Sequence, residues 1–65
     1  MRYTFEYRRS TGGSIILTQT CDSLQEAKDL AIGRATLTFY HVCKACTVTD
    51  ENGNVAFEWV KSDDA

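Results

Sequence analysis

Residues 2–9 alternate strictly between apolar and polar side chains. Alternation with a period of two is typical of a β-strand that buries one of its faces. The apolar side chains of this segment are Tyr3, Phe5 and Tyr7. Gly12 and Gly13 follow, and glycine readily adopts the positive φ angles of a tight turn. The pattern therefore predicts a hairpin, with a returning strand over residues 14–20.

The register of this first hairpin depends on the length of its loop. A two-residue loop places Ile16 and Thr18 on the same side as Tyr7. A three-residue loop places Ile15 and Leu17 on that side instead. Because a shift of one residue exchanges the two faces of a strand, the two alternatives bury different side chains. The residues leave both registers open.

A helix is predicted to begin at Ser23. Ser23 and Glu26 have the spacing of a capping box, in which each side chain accepts a hydrogen bond from the backbone N–H of the other residue. The apolar residues that follow form one stripe along a helix, and they are Leu24, Ala27, Leu30, Ala31 and Ala35. Because this stripe is rich in alanine, we expect the helix to lie close against a sheet. Gly33 weakens a helix by about 1 kcal/mol relative to alanine, so the end is expected between Gly33 and Leu37.

A second hairpin is predicted from residues 42–49 and residues 55–61, with Asn52-Gly53 as the turn. Asn-Gly between two apolar segments is the strongest short-range signal for a hairpin. The sequence therefore indicates an α+β fold with the element order ββαββ. In this fold a four-stranded antiparallel sheet carries one helix packed on one face.

The apolar residues of the second hairpin favour one register. With a two-residue loop, Val48 lies opposite Phe57, and Cys46 lies opposite Trp59. The other side of the hairpin then carries four residues, namely Thr47, Thr49, Ala56 and Glu58. A longer loop with a G1 bulge is the alternative.

The chain of 65 residues has the length of one small domain, residues 1–65, and we expect the acidic tail 61–65 to be frayed. Its longest apolar runs, such as residues 15–17, are far shorter than the roughly 20 residues that span a bilayer. The first residues form a strand pattern rather than the apolar core of a signal peptide. We therefore expect a cytoplasmic protein.

The net charge is −2 and the sequence pI is near 5.1, which argues against nucleic acid as the main partner. The basic residues lie mostly in the first hairpin. The acidic residues lie mostly around the helix start, the last hairpin and the tail, which predicts an acidic end. An acidic surface can occupy a groove that is built for nucleic acid. The candidate partner-binding residues are Asp22, Glu26, Asp29, Asp50, Glu51, Glu58, Asp63 and Asp64.

Three cysteines and one histidine are the residues that could carry chemistry, and they are Cys21, His41, Cys43 and Cys46. Residues three apart in a strand point to opposite faces, so Cys43 and Cys46 are expected to diverge. We therefore predict no metal site and no cofactor. A Cys–His nucleophile would also need an orienting group and a pocket, which a single sheet with one helix seldom offers, so we expect no enzyme.

Arg8 and Arg9, beside Tyr7, have two interpretations. They could form a stacking surface for nucleic acid, as in a small nucleic-acid-binding or regulatory domain of bacterial or phage origin. We favour the other interpretation, in which they are charges on an edge strand that discourage aggregation.

The chain offers more apolar surface than a slim helix can cover. Some of this surface is therefore expected to be exposed, either between the subunits of a homodimer or as a patch that binds a partner.

The segment Ser23-Leu24-Gln25-Glu26-Ala27-Lys28-Asp29-Leu30-Ala31 precedes a strand, an Asn-Gly turn and a final aromatic strand. Over residues 20–60 this arrangement resembles small phage-encoded anti-CRISPR proteins that act on type I CRISPR–Cas surveillance complexes. The resemblance implies an inhibitor without catalysis, which binds a Cas effector protein in the host bacterial cell and blocks the binding of target DNA. No individual binding residue follows from it.

Overall fold

Four antiparallel strands and one helix build the protein in the computed structural model, which describes residues 1–38 and 43–61. In chain order the elements are β1 (Arg2–Arg9), β2 (Ser14–Thr20), α1 (Leu24–Gly33), β3 (Cys43–Thr49) and β4 (Val55–Val60). The strands lie in the order β2-β1-β3-β4, and α1 packs against the sheet. The predicted α+β class with one helix on a four-stranded sheet is confirmed.

β1 lies in the middle of the sheet, between β2 and β3. Its predicted alternation is confirmed, because Tyr3, Phe5 and Tyr7 are all buried on the side of the helix. The interpretation of Arg8 and Arg9 as charges on an edge strand is wrong, since both flanks of β1 are paired. Long-range pairing with β3 decides this position, and local alternation contains no information on it.

The first hairpin adopts the three-residue loop. The Arg9 N–H donates to the carbonyl of Gly13 over 3.1 Å, and the Gly12 N–H donates to the carbonyl of Arg9 over 3.2 Å. Gly12 and Gly13 have φ angles of 104° and 78°, which suit glycine. Ile15 therefore lies opposite Tyr7 and packs against the core.

The second hairpin has the predicted pairs but not the predicted loop. Val48 lies opposite Phe57, as the pattern predicted, and the pair of Cys46 with Trp59 is also present. The two-residue loop is wrong. The Asp50 N–H donates to the carbonyl of Asn54 over 2.9 Å, which closes a three-residue loop of the type considered as the alternative.

A bulge in β4 restores the pairing beyond this loop. The ladder shifts by one residue, so that Thr49 lies opposite Val55 while Val48 lies opposite Phe57. Ala56 is the extra residue and packs against the core cluster. This cluster is formed by the buried residues Tyr3, Phe5, Tyr7, Cys21, Ala27, Ala31, Ala35, Cys43, Cys46 and Val48. The prediction that Ala56 lies on the other side is therefore wrong, because a bulge changes the alternation of a strand.

The helix begins with the predicted serine cap. The Ser23 hydroxyl accepts a hydrogen bond from the Glu26 N–H over 3.2 Å. The Glu26 carboxylate accepts from the N–H of Asp22, also over 3.2 Å, rather than from Ser23 as predicted. The helix continues beyond Gly33 into a π-helical turn over Arg34–Thr38, which is consistent with the predicted range for its end.

Small residues bring α1 close to the sheet. Within the predicted apolar stripe, the alanines Ala27, Ala31 and Ala35 are fully buried, Leu30 is half-buried and Leu24 is exposed. The helix lies nearest β3 and β4. The opposite face of the sheet has no helix on it among the described residues. This face carries the polar side of β1, together with Ile16 on β2 and Val60 on β4.

Several large apolar side chains are exposed, as the excess of apolar residues predicted. Leu37, Val60, Val55 and Ile16 are each more than half exposed. Residues 39–42, the last of which belongs to the predicted third strand, lie outside the described residues, as does the range 62–65 of the predicted frayed tail. Lys61 itself is attached to the sheet, because its N–H donates to the carbonyl of Lys44 over 2.9 Å.

Among the described helices, none combines the length and the apolar character that would be needed to cross a membrane.

Candidate functional site

Four of the candidate carboxylates lie at one end of the sheet. In an antiparallel sheet of this order, the chain leaves β2 and β3 at the same end, and α1 also begins there. Asp22 and Glu26 belong to the start of α1, whereas Asp50 and Glu51 belong to the turn after β3. We call these four residues the acidic end. The structure thus brings Asp22, Glu26, Asp50 and Glu51 to the same end of the sheet.

Backbone hydrogen bonds hold three of these carboxylates in place. The Glu26 carboxylate caps the N–H of Asp22. The Asp50 carboxylate accepts from the N–H groups of Asn52 and Asn54, over 2.9 and 3.0 Å. The Glu51 carboxylate accepts from the N–H of Arg2 over 2.9 Å. An ionised carboxylate has about four lone-pair sites, so each retains acceptor capacity for a partner.

Positive groups at this end reduce the negative charge but do not cancel it. The N-terminal ammonium group of Met1 donates to the carbonyl of Cys21 over 2.9 Å. Met1 and Arg2 line an open depression of about 630 Å³ together with Asp50 and Glu51. Two positive groups thus face four carboxylates, and the end stays acidic.

The other candidate acids lie elsewhere. Asp29 lies about one turn further along α1, where its carboxylate accepts from the Gln25 amide over 3.0 Å. Glu58 lies on the face of the sheet opposite α1 and forms an ion pair with Arg8 over 3.0 Å. Asp63 and Asp64 lie outside the described residues. The structure therefore does not place Asp29 and Glu58 within the acidic end.

The opposite end of the sheet is basic. β1 ends there at Arg9, β3 begins there next to Lys44, and β4 ends there before Lys61. Arg8, Lys44 and Lys61 line an open depression of about 470 Å³ together with Ser10, Ala45 and Val60. Positive and negative side chains are thus separated towards the two ends of the strands.

Two of the three cysteines lie on the same face of β3. Cys43 and Cys46 are both buried in the core cluster. The prediction that they diverge is wrong, because the ladder between β1 and β3 shifts between Arg8 and Arg9. Lys44 is the extra residue in this bulge, so the alternation of β3 changes there. The Cys43 thiol donates to the carbonyl of Ala45 over 3.2 Å.

Burial favours the protonated form of two of the thiols, those of Cys46 and Cys21. It raises the pKa of the Cys46 thiol to about 11, and the charge of Cys43 adds to this increase. Burial also raises the pKa of Cys21, with the nearby Glu26 carboxylate as the second cause. A protonated thiol is a poor nucleophile and a poor metal ligand. Within residues 1–38 and 43–61, no three His, Cys, Asp or Glu side chains form a group that could hold a metal ion. His41 lies outside these ranges.

Arg34 is a half-buried polar residue at the edge of the core, and the sequence patterns do not identify it. Its guanidinium lies over the Phe5 ring, 5.4 Å from the ring centre, and donates a hydrogen bond to the Gln19 amide. Burial raises the pKa of Tyr7, and the hydrogen bond with the Arg34 guanidinium partly offsets this increase. No local signal identifies this position, because the π-helical turn and the sheet together define it.

Comparison with protein-family models, curated protein sequences and solved structures found no match.

Proposed function

We propose that this protein is a non-enzymatic inhibitor from a phage or mobile element that binds a protein partner through its acidic end. The observation that carries the proposal is the convergence of four carboxylates onto one end of the sheet, where the start of α1 contributes Asp22 and Glu26 and the turn after β3 contributes Asp50 and Glu51. Carboxylates held in place by backbone hydrogen bonds lose little freedom on binding, which favours an electrostatic interface.

A basic groove that normally holds nucleic acid is the partner surface that best fits this end. Such a groove attracts carboxylates with the same field that attracts phosphates. Together with the resemblance to anti-CRISPR proteins, this supports a Cas effector protein of a type I complex as the partner, with loss of target-DNA binding as the result. The protein would then act in the cytoplasm of the host bacterial cell.

A matched pair of variants tests this proposal. The double variant Glu26→Gln/Glu51→Gln removes two charges at the acidic end but keeps amide oxygens as acceptors. The control Asp29→Asn/Glu58→Gln removes the same number of charges outside the acidic end. Both variants are titrated against a purified type I surveillance complex in a target-DNA binding assay. We expect the first variant to inhibit at least about tenfold more weakly and the control to change little.

The titration also defines what would contradict the proposal. Unimpaired DNA binding at saturating wild-type protein rules out the blocking mechanism. Equal losses in both variants would show that net charge, rather than the acidic end, determines inhibition. Inhibition by the wild type should also weaken as salt rises, because screening reduces the attraction between the two surfaces.

The basic end supports a second candidate function, a small nucleic-acid-binding or regulatory domain. Arg9, Lys44 and Lys61 lie at this end, together with Arg8, which forms an ion pair with Glu58. Direct, salt-dependent binding of single-stranded or duplex DNA, reduced by Lys44→Glu, is the expected result for this function. Absence of such binding at low salt removes it.

A further inference from the structure

The outer side of β2 is an unpaired sheet edge among the described residues. Hydrogen bonds at both ends of its ladder with β1, from Arg9 to Gly13 and from Cys21 to Met1, determine which residues of β2 bond to β1. Bonded and non-bonded pairs alternate in an antiparallel ladder. The backbone N–H and C=O groups that point away from β1 are therefore those of Ser14, Ile16, Thr18 and Thr20.

β2 carries none of the usual features that prevent edge pairing. Natural edge strands are typically short, charged, bulged or interrupted by proline. β2 is seven residues long, and its sequence SIILTQT contains no charge and no proline. Its ladder with β1 runs without a bulge over the described residues. Ile16 is 63% exposed on this strand.

The other edge of the sheet is protected. β4 contains the bulge at Ala56, and it carries the charge of Glu58, with Lys61 directly after its end. These features discourage the addition of another strand. The contrast between β2 and β4 marks one edge of this sheet as suited to pairing.

The two ends of β2 carry opposite charges. At its start, the Arg9 side chain folds over the hairpin, and its Nε donates to the carbonyl of Gly12 over 3.2 Å. A Cβ added to Gly13 would lie 2.9 Å from Arg9 Nη2, which shows how closely the guanidinium covers this turn. Asp22 and Glu26 follow the end of β2. If the same edge of a second copy pairs with it in antiparallel orientation, Arg9 lies near Asp22 of the second copy. By symmetry, Asp22 then lies near Arg9 of the second copy.

We propose that β2 pairs with β2 of a second copy of this chain and forms a two-fold symmetric dimer with one continuous sheet. Self-complementary charge at the two ends of the edge favours a second copy over a foreign strand. The symmetry axis passes beside Ile16, whose backbone N–H and C=O point away from β1. Ile16 therefore forms a hydrogen-bonded pair with Ile16 of the second copy. Ile15 then lies opposite Leu17 of the second copy, and Ser14 lies opposite Thr18 of the second copy.

In this register, side chains of similar chemistry lie opposite each other across the interface. Apolar side chains meet apolar side chains at the centre, and hydroxyl groups meet hydroxyl groups on either side. Cross-strand pairs of this kind stabilise a sheet, and the pairing would also cover part of Ile16 and Leu17. The inference does not depend on the acidic end binding a Cas protein.

Sedimentation equilibrium over a range of protein concentrations tests the dimer. We expect the wild type to form dimers and Ile16→Lys to dissociate at least about tenfold more readily, because it places two like charges at the symmetry axis. Val60→Lys is the matched control, since Val60 is 67% exposed and lies on the same face at the other edge. Circular dichroism confirms that both variants are folded.

A charge-exchange experiment tests the antiparallel orientation independently. Arg9→Asp and Asp22→Lys should each weaken dimerisation at low salt, because each places like charges together at both ends of the interface. An equimolar mixture of the two should recover dimers, since both contacts are then between opposite charges. A monomeric wild type at millimolar concentration, a dimer unaffected by Ile16→Lys, or a mixture no more dimeric than its components would overturn the proposal. Capture of a foreign strand by a monomeric wild type would also overturn it.

Discussion

At the scale of single residues, burial controls the chemistry of the thiols. Cys46 is fully buried between the sheet and the helix. Its pKa is raised mainly by this burial and, to a smaller extent, by the charge of the nearby Cys43. Burial penalises the thiolate because a charged group loses its hydration. Cys21, Cys43 and Cys46 thus lie in the core as small apolar side chains.

Stability at alkaline pH follows from the raised pKa of Cys46. Between about pH 9.0 and about pH 11, the unfolded chain loses the thiol proton while the folded protein keeps it. The free energy of unfolding should therefore be fully retained below pH 9 and fall by about 2 kcal/mol towards pH 11. Urea unfolding at a series of pH values measures this loss.

Cys46→Ala is the control for the alkaline effect. It should be less stable than the wild type at pH 7 but show a shallower decrease above pH 9. Some decrease should remain, because burial also raises the pKa of Cys21 and Tyr7. An identical pH profile in both proteins would contradict the role of Cys46.

At the scale of elements, local signals agree with the structure where hydrogen bonds are local. The serine cap, the alanine stripe and the alternation of β1 all follow from residues within one or two turns of the chain. The loops are less well predicted. Asn52-Gly53 indicates a hairpin correctly, but Asp50 accepts two N–H groups of the turn and closes a longer loop than the Asn-Gly pair alone suggests.

Two glycines with different backbone geometry should respond in opposite ways to alanine. Gly33 is helical, and within the described residues no heavy atom lies within 4 Å of a Cβ built on it. Gly33→Ala should raise the free energy of unfolding by about 0.5–1 kcal/mol, through helix propensity and a less flexible unfolded chain. Gly53 has a φ angle of 85°, which an alanine adopts only with strain. Gly53→Ala should therefore lower the free energy of unfolding by about 1 kcal/mol.

Chemical denaturation of the two variants and the wild type measures both effects. Because the change of residue is identical, differences in side-chain volume cannot explain opposite signs. A loss of stability in both variants would show that the helix end requires glycine at Gly33.

At the scale of the whole molecule, one thin core holds both hairpins and the helix together. The sheet contributes the aromatic side chains of β1, whereas the helix contributes mainly alanines. A chain of this length has a small core, which supplies only about 3–5 kcal/mol of stability. The β2 edge and the acidic end lie on the surface, outside this core.

Loss of one central aromatic ring should therefore unfold the protein. Phe5 is fully buried, its ring is stacked 6.4 Å from that of Tyr7, and Arg34 lies over it. Phe5→Ala should cost about 3–5 kcal/mol, comparable to the whole stability of the domain. Circular dichroism should show a largely unfolded chain at 25 °C.

Leu37→Ala provides the comparison for this prediction, because Leu37 is 84% exposed. It should change stability by less than about 0.5 kcal/mol. A cooperative thermal transition of Phe5→Ala close to that of the wild type would contradict a single core centred on β1.

The sequence by itself determined the number and type of the elements, because alternation, helix periodicity, capping and turn residues act over short distances. It also placed acidic residues next to two turns. Only the tertiary structure decided that β1 is central, that Cys43 and Cys46 share a face, and that Asp22 and Glu51 lie at the same end. These features depend on the pairing of β1 with β3. That pairing joins segments far apart in the chain, and a single bulge within it changes which side chains are buried.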